Sequence, residues 1–184
     1  MSLHAELAPV RWFEAEAERL EAELAAMTVV APELTWAEDG QGGGWEGLAP
    51  VWPFDRIRPP GLDGFLDGRR FRLRVVCSPA HPMVAPRVQP LDPEPSLAYR
   101  TVHDWHVAGD GSLCLLQSAA AWTGSELAAE LVVKAAGWFL EYLLMERGVV
   151  TTMSLGGIAT TGQFDHLLEP VATQIERDAG AEGG

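Results

Sequence analysis

Asp104-Trp105-His106-Val107-Ala108-Gly109-Asp110-Gly111-Ser112-Leu113-Cys114-Leu115-Leu116 is the stretch from which the rest of the chain is best read. It is a polar, glycine-punctuated loop that runs into one cysteine held between leucines. Gly109, Asp110, Gly111 and Ser112 bend the chain just before the thiol. Leu113, Leu115 and Leu116 anchor the segment to a core. A cysteine at the end of a turn, with His106 eight residues upstream, reads as a candidate nucleophile. The competing reading is packing, because free cysteine is among the most buried residue types.

Outward from that loop, the chain divides into strands before it and helices after it. Phe71, Leu73, Val75 and Cys77 alternate with Arg70, Arg72, Arg74 and Val76, the period of a half-buried strand. Cys77 falls on the apolar face and reads as core. Three prolines between Ser78 and Pro86 make a rigid turn, and Arg87 to Leu91 gives a further strand whose prolines suit a sheet edge. Upstream, Leu34 to Trp36 and Trp45 to Trp52 form a hairpin around the Asp39 to Gly44 turn. The run from Trp52 to Gly61 is proline-rich and irregular, and Pro93 to Val102 is a connector.

Helices flank this block. Val10, Phe13, Ala17, Leu20, Leu24 and Met27 recur at helical spacing, with Glu14, Glu16, Glu18, Glu21 and Glu23 on the other faces as a solvated or docking surface. After Cys114, Thr123 or Ser125 caps a helix from about Glu126 to Glu146, which stops at Arg147-Gly148. Its buried stripe is Leu127, Leu131, Ala135, Trp138, Tyr142 and Met145. A loop with Thr151, Thr152, Gly156 and Gly157 leads to a last helix, about Gln163 to Arg177, and a flexible tail over 178–184. Strands grouped in sequence imply an antiparallel meander and an α+β class. A single domain over 1–184 is expected, with a core at about 10–148 and a helical extension at about 149–177.

Composition narrows the function. A net charge of -13 leaves nothing to neutralise a row of phosphates, which argues against nucleic acid and against an anionic membrane. A partner with a basic face is the complementary inference. No apolar run reaches the ~18 residues of a membrane span, and no basic region precedes an apolar stretch at the N-terminus. Two cysteines, Cys77 and Cys114, make no disulfide scaffold. A reducing cytoplasm is the expected setting, where a thiol stays available.

In this order, these residues resemble the ubiquitin-conjugating enzymes over roughly Val10 to Gly148. His81-Pro82-Met83-Val84-Ala85-Pro86-Arg87-Val88 resembles the family's Tyr-Pro…Pro-Pro-x-Val turn between its third and fourth strands. Asp104-Trp105-His106 falls where the family has His-Pro-Asn. Gly111-Ser112-Leu113-Cys114-Leu115 is similar to Gly-x-Ile-Cys-Leu around the catalytic cysteine, and Trp122 sits at the spacing of Trp-Ser-Pro. The departures are the replacement of the asparagine by His106, Thr123-Gly124 in place of Ser-Pro, an acidic first helix and a distinct C-terminal third.

The resemblance implies a divergent, bacterial-type carrier with a ubiquitin-conjugating-enzyme-like fold. Such a protein accepts a ubiquitin-like modifier from an activating enzyme as a thioester on Cys114 and passes it to an amine on a target protein. It needs no cofactor. Bacterial systems of this kind are linked to antiphage defence. His106 would support the loop, donate to the oxyanion of the second step (an interaction worth about 2.7–4 kcal/mol) or serve as a base. Asp104 and Asp110 would stiffen the loop. Glu146 lies where the family has an acidic residue near the incoming lysine, without a motif around it. Three other readings stand beside this one. The first is a zinc site from His103, His106 and Cys114 with His81 or Cys77. The second is a cysteine hydrolase pairing Cys114 with His106 or with His166 beside Asp165. The third is a binding module that no longer uses the cysteine.

Overall fold

The structure is a computed structural model that describes residues 10–39, 42–154 and 161–182. Gly156 and Gly157 of the expected loop lie outside the described residues, as do Gly40 and Gln41 of the hairpin turn and the last two residues of the tail. The described elements are α1 (Trp12–Ala15), α2 (Ala17–Val30), β1 (Leu34–Ala37), β2 (Gly44–Leu48), α3 (Leu62–Leu66), β3 (Arg72–Val76), β4 (Arg87–Asp92), α4 (Ala128–Glu146) and α5 (Asp165–Glu182). This is an α+β fold with helices at both ends of a four-stranded sheet. The strands run in the order β1-β2-β3-β4, all antiparallel, as grouped strands predict.

The alternation in β3 sets the layers. Phe71, Leu73, Val75 and Cys77 are all buried on one face, while Arg72 and Arg74 reach Glu46 on the other. Central helix α4 covers the buried face, with the ring of Phe139 stacked on Phe71 at 4.9 Å. Leu131, Ala135, Trp138, Tyr142 and Met145 are buried as the spacing predicts. So are Val132, Leu140, Leu143 and Leu144 on other faces, because α2 packs on the helix from one side and Leu168 of α5 shares a cavity wall with Leu140 and Leu144 on another. The helix ends as expected: Gly148 takes a left-handed φ of 67°, and the amides of Gly148 and Val149 close back on the carbonyls of Met145 and Leu144.

Five sequence expectations change. The central helix starts at Ala128, with half-buried Leu127 at its cap position and no side-chain cap from Thr123 or Ser125. The first helix is broken at Glu16 into α1 and α2. Adjacent Trp12 and Phe13 are both buried, whereas Val10 and Ala17 of the expected stripe are exposed. Two neighbours 100° apart on a helix do not share a narrow face, and the break re-aims the first turn so that Trp12 donates to the Gly42 carbonyl at 2.6 Å. β2 ends at Leu48, before Pro50, and does not continue to Trp52. Leu62, Phe65 and Leu66, spaced i, i+3, i+4, form α3, which packs on α5. Finally, α5 runs past Arg177 through Asp178 to Glu182, where a flexible tail was expected. Ala179 and Ala181 favour helix, and Gln174 bonds the Asp178 carboxylate one turn on.

One acidic residue is not on the surface. Glu23 of α2 is fully buried. Its carboxylate accepts from Arg19 Nε at 3.0 Å, from Ala128 N at 2.8 Å and lies 3.1 Å from His81 Nε2. It therefore joins α2, the proline-rich turn after β3 and the first residue of α4. Burial opposes its ionisation, but the bonds from His81, Ala128 and Arg19 outweigh that and hold the carboxyl below its ordinary range. Arg19 also reaches the carbonyls of Gly124, at 2.9 Å, and Glu126.

Candidate active site

The loop before Cys114 is a tight, self-bonded hairpin. Val107 and Leu113 bridge antiparallel, and Ala108 N donates to Ser112 O at 2.8 Å. At the tip Gly111 takes φ 84°, which glycine adopts without steric cost. Asp110 Oδ1 accepts both the amide of Ser112 at 3.0 Å and its hydroxyl at 2.6 Å, so Asp110 stiffens the turn as the sequence suggests. Leu113 N donates to Val88 O at 2.8 Å and fastens the loop to β4.

Leu113 and Leu115 are buried, and Cys114 between them is exposed. The packing expectation thus holds for Cys77 and fails for Cys114. Cys114 lines an open groove of about 330 Å³ with Pro86, Arg87, Val88, Leu116 and Leu131. The groove walls still shield the thiol. Burial, then the charge of Asp110, push it above its ordinary value, so the thiol is protonated at neutral pH. Cys77, in the core, is pushed up to about 12 by burial and is inert.

His106 sits behind Cys114. Its carbonyl accepts the Cys114 amide at 2.8 Å. Its ring is buried, and Nε2 lies 2.9 Å from the carbonyl of Ser154. A carbonyl only accepts, so Nε2 carries the proton and donates it. Burial pulls the imidazole below its ordinary range, against the opposing hydrogen bonds to the backbone of Ser154 and Cys114, which keeps it neutral at pH 7. Its backbone is left-handed, φ 48° and ψ 42°, a region that asparagine, aspartate and histidine tolerate better than most residues. The Nε2 proton is committed to the Ser154 carbonyl, beyond α4, the geometry of a structural support that ties the loop to a distant segment.

Two residues behind the loop were missed from sequence. Glu141 of α4 is buried; its Oε2 accepts the Ser154 amide at 2.7 Å and its Oε1 the Ser154 hydroxyl. Burial raises the Glu141 carboxyl, against these two bonds. Glu141 was legible as the one acid inside an apolar helical run; nothing marked Ser154. Trp138 Nε1 donates to the Trp105 carbonyl at 2.9 Å, and Asp104 Oδ1 accepts from Thr152 at 3.1 Å.

The other candidates lie elsewhere. His103 is exposed, 5.4 Å ring to ring from His106. His81 is buried against Glu23 and Trp12. Among the described residues no three His, Cys, Asp or Glu side chains are placed to hold a metal, so the zinc set is not assembled. Asp165 is taken by Arg56, at 2.6 and 2.9 Å, and neither it nor His166 lines the Cys114 groove. Glu146, at the last turn of α4, is held by Arg69 at 2.5 Å and Tyr142 at 2.7 Å. No helix among the described residues is long and apolar enough to cross a membrane. Comparison with family models, with curated proteins and with solved structures finds no match.

Proposed function

We propose that the chain is a thioester carrier of the ubiquitin-conjugating type, with Cys114 as the carrying residue. One observation carries the reading: Cys114 alone is turned outward from a buried leucine segment, into an open groove, at the end of a stiffened loop. The element order of helix, four-strand meander, cysteine loop and long helix supports a ubiquitin-conjugating-enzyme-like fold. Two free thiols fit a reducing cytoplasm.

In the loading step, the Cys114 thiolate attacks the carbonyl carbon of the modifier's thioester on the activating enzyme. The oxyanion that forms collapses, and the enzyme's thiolate leaves with the electron pair of its C–S bond. In the transfer step, a target amine forms the C–N bond, Cys114 leaves as thiolate, and the amine's surplus proton neutralises it or passes to water. A shielded, high-pKa thiol is a slow nucleophile in its protonated form but an intrinsically strong one once ionised. His106 keeps the loop in register, and the burial that lowers its pKa weakens its ring as a base.

Intact-mass spectrometry after incubation with a candidate activating enzyme, modifier and ATP tests the reading. The expected result is a thiol-labile adduct of the modifier's mass, replaced in Cys114→Ser by a thiol-resistant ester or by none. No adduct, with an activating enzyme shown to be loaded, overturns it in favour of a binding module.

A further inference from the structure

The middle of α4 is almost wholly apolar and buried, with one carboxylate in it. A carboxylate in such surroundings is strongly disfavoured unless it is hydrogen-bonded. Among the described residues no cation pairs with Glu141. Both of its oxygens go to one residue: the Ser154 amide on Oε2 at 2.7 Å and the Ser154 hydroxyl on Oε1. The Ser154 carbonyl takes the His106 Nε2 proton at 2.9 Å, and the His106 carbonyl takes the Cys114 amide at 2.8 Å. An unbroken line of bonds therefore runs from the central helix to the thiol-bearing residue, through Glu141, Ser154 and His106, residues that are 5%, 3% and 7% exposed.

Two further observations point the same way. Trp138, one turn before Glu141, donates to the Trp105 carbonyl, so position 138 holds the residue before His106 directly while position 141 reaches His106 through Ser154. The Thr152–Ser154 strap is also stitched to Asp104, through the Thr152 hydroxyl at 3.1 Å and the Met153 amide at 3.2 Å. His106 stays left-handed between them. A non-glycine residue keeps such a conformation only when its surroundings over-determine it.

We infer that Glu141 is a positioning residue for Cys114, acting through Ser154 and His106 to hold the thiol at the mouth of its groove. What the thiol does there rests on the carrier reading; the positioning does not. A purely structural Glu141 would affect melting temperature alone. A positioning Glu141 also sets the His106 ring and the reactivity of Cys114.

Glu141→Leu, Glu141→Gln and Ser154→Ala in the full chain separate these. The readouts are the His106 Nε2–H signal by nitrogen-resolved NMR, iodoacetamide alkylation of Cys114 at pH 8 by peptide mass, and, for chain charged with modifier, discharge to a free amine. In Glu141→Leu the Nε2–H signal moves or vanishes. Its loosened groove hydrates the thiol, and alkylation speeds up about threefold or more. Discharge falls about tenfold or more, because the reacting atoms lose their alignment, while loading changes less than about twofold. Glu141→Gln offers Ser154 one acceptor and one donor, and restores all three to within about twofold. A folded Glu141→Leu with the wild-type signal and alkylation rate overturns the inference. If Glu141→Leu does not fold, Ser154→Ala decides: a displaced Nε2–H signal with faster alkylation supports it, and wild-type values overturn it. Wild-type chain that takes no modifier sinks the carrier reading, while the NMR and alkylation arms still judge the positioning.

Discussion

The Glu23 carboxylate accepts the backbone amide of Ala128 at 2.8 Å, across 105 residues of chain. A buried acid on the first long helix thus caps the central one. The same carboxylate holds Arg19 and faces His81, so three segments converge on it.

Removing Glu23 leaves a half-buried guanidinium, a buried imidazole and a helix-terminal amide without the carboxylate they share. Glu23→Ala is expected to lower unfolding free energy by about 3–5 kcal/mol, read from urea denaturation at pH 7. The pH dependence follows from the depressed carboxyl. Its stabilisation is complete above the ordinary glutamate value of about 4.3 and is lost as pH falls through the lower folded-state value. Wild-type stability should fall more steeply below that pH than that of Glu23→Gln. Parallel curves for the two proteins would remove Glu23 as the cause.

Asp110 does two things to Cys114: it stiffens the turn, and its charge helps to raise the thiol. Asp110→Asn keeps the Oδ1 acceptor and removes the charge. Cys114 alkylation at pH 7 should speed up about two- to threefold in low salt, and the gain should shrink above about 0.15 M as screening sets in. A gain that ignores salt would mean that the turn moved instead.

Gly44 lies where β2 meets β3. A Cβ there would stand 1.9 Å from the Val75 carbonyl oxygen, a backbone atom in the middle of the sheet. Gly44→Ala is expected to cost about 3 kcal/mol or more, because the strands cannot keep their register around it. Gly68→Ala is the control. Nothing lies within 4 Å, and only its left-handed φ of 72° is penalised, by about 1–2 kcal/mol. Equal losses in denaturant midpoints would contradict this account.

Much of the site was legible. The glycine-rich turn, the stiffening role of Asp110 and the core position of Cys77 have local causes, whereas the exposure of Cys114 stood open beside a packing reading. Cys77 continues the alternation of Phe71, Leu73 and Val75, which fixes its face; Cys114 follows a turn that Asp110 and Gly111 set within four residues. α3 was also there to be read, in Leu62, Phe65 and Leu66. Glu23 was not, because it stands in a row of glutamates of which its neighbour Glu21 is exposed. His106 could be placed from sequence, but its partner Ser154 lies 48 residues on and carries no spacing signal.

Sequence by itself determined the strand faces, the end of α4 at Gly148 and the turn before Cys114, since each depends on residues within a few positions along the chain. Only the tertiary structure decided which charges are buried and what holds the cysteine loop. Glu23, Glu141 and His106 are stable in the interior because distant backbone groups, at Ala128 and Ser154, meet their hydrogen-bonding demand there. Desolvating a polar group is unfavourable wherever it occurs, and whether a partner offsets that is a property of the folded contacts, which no local pattern encodes.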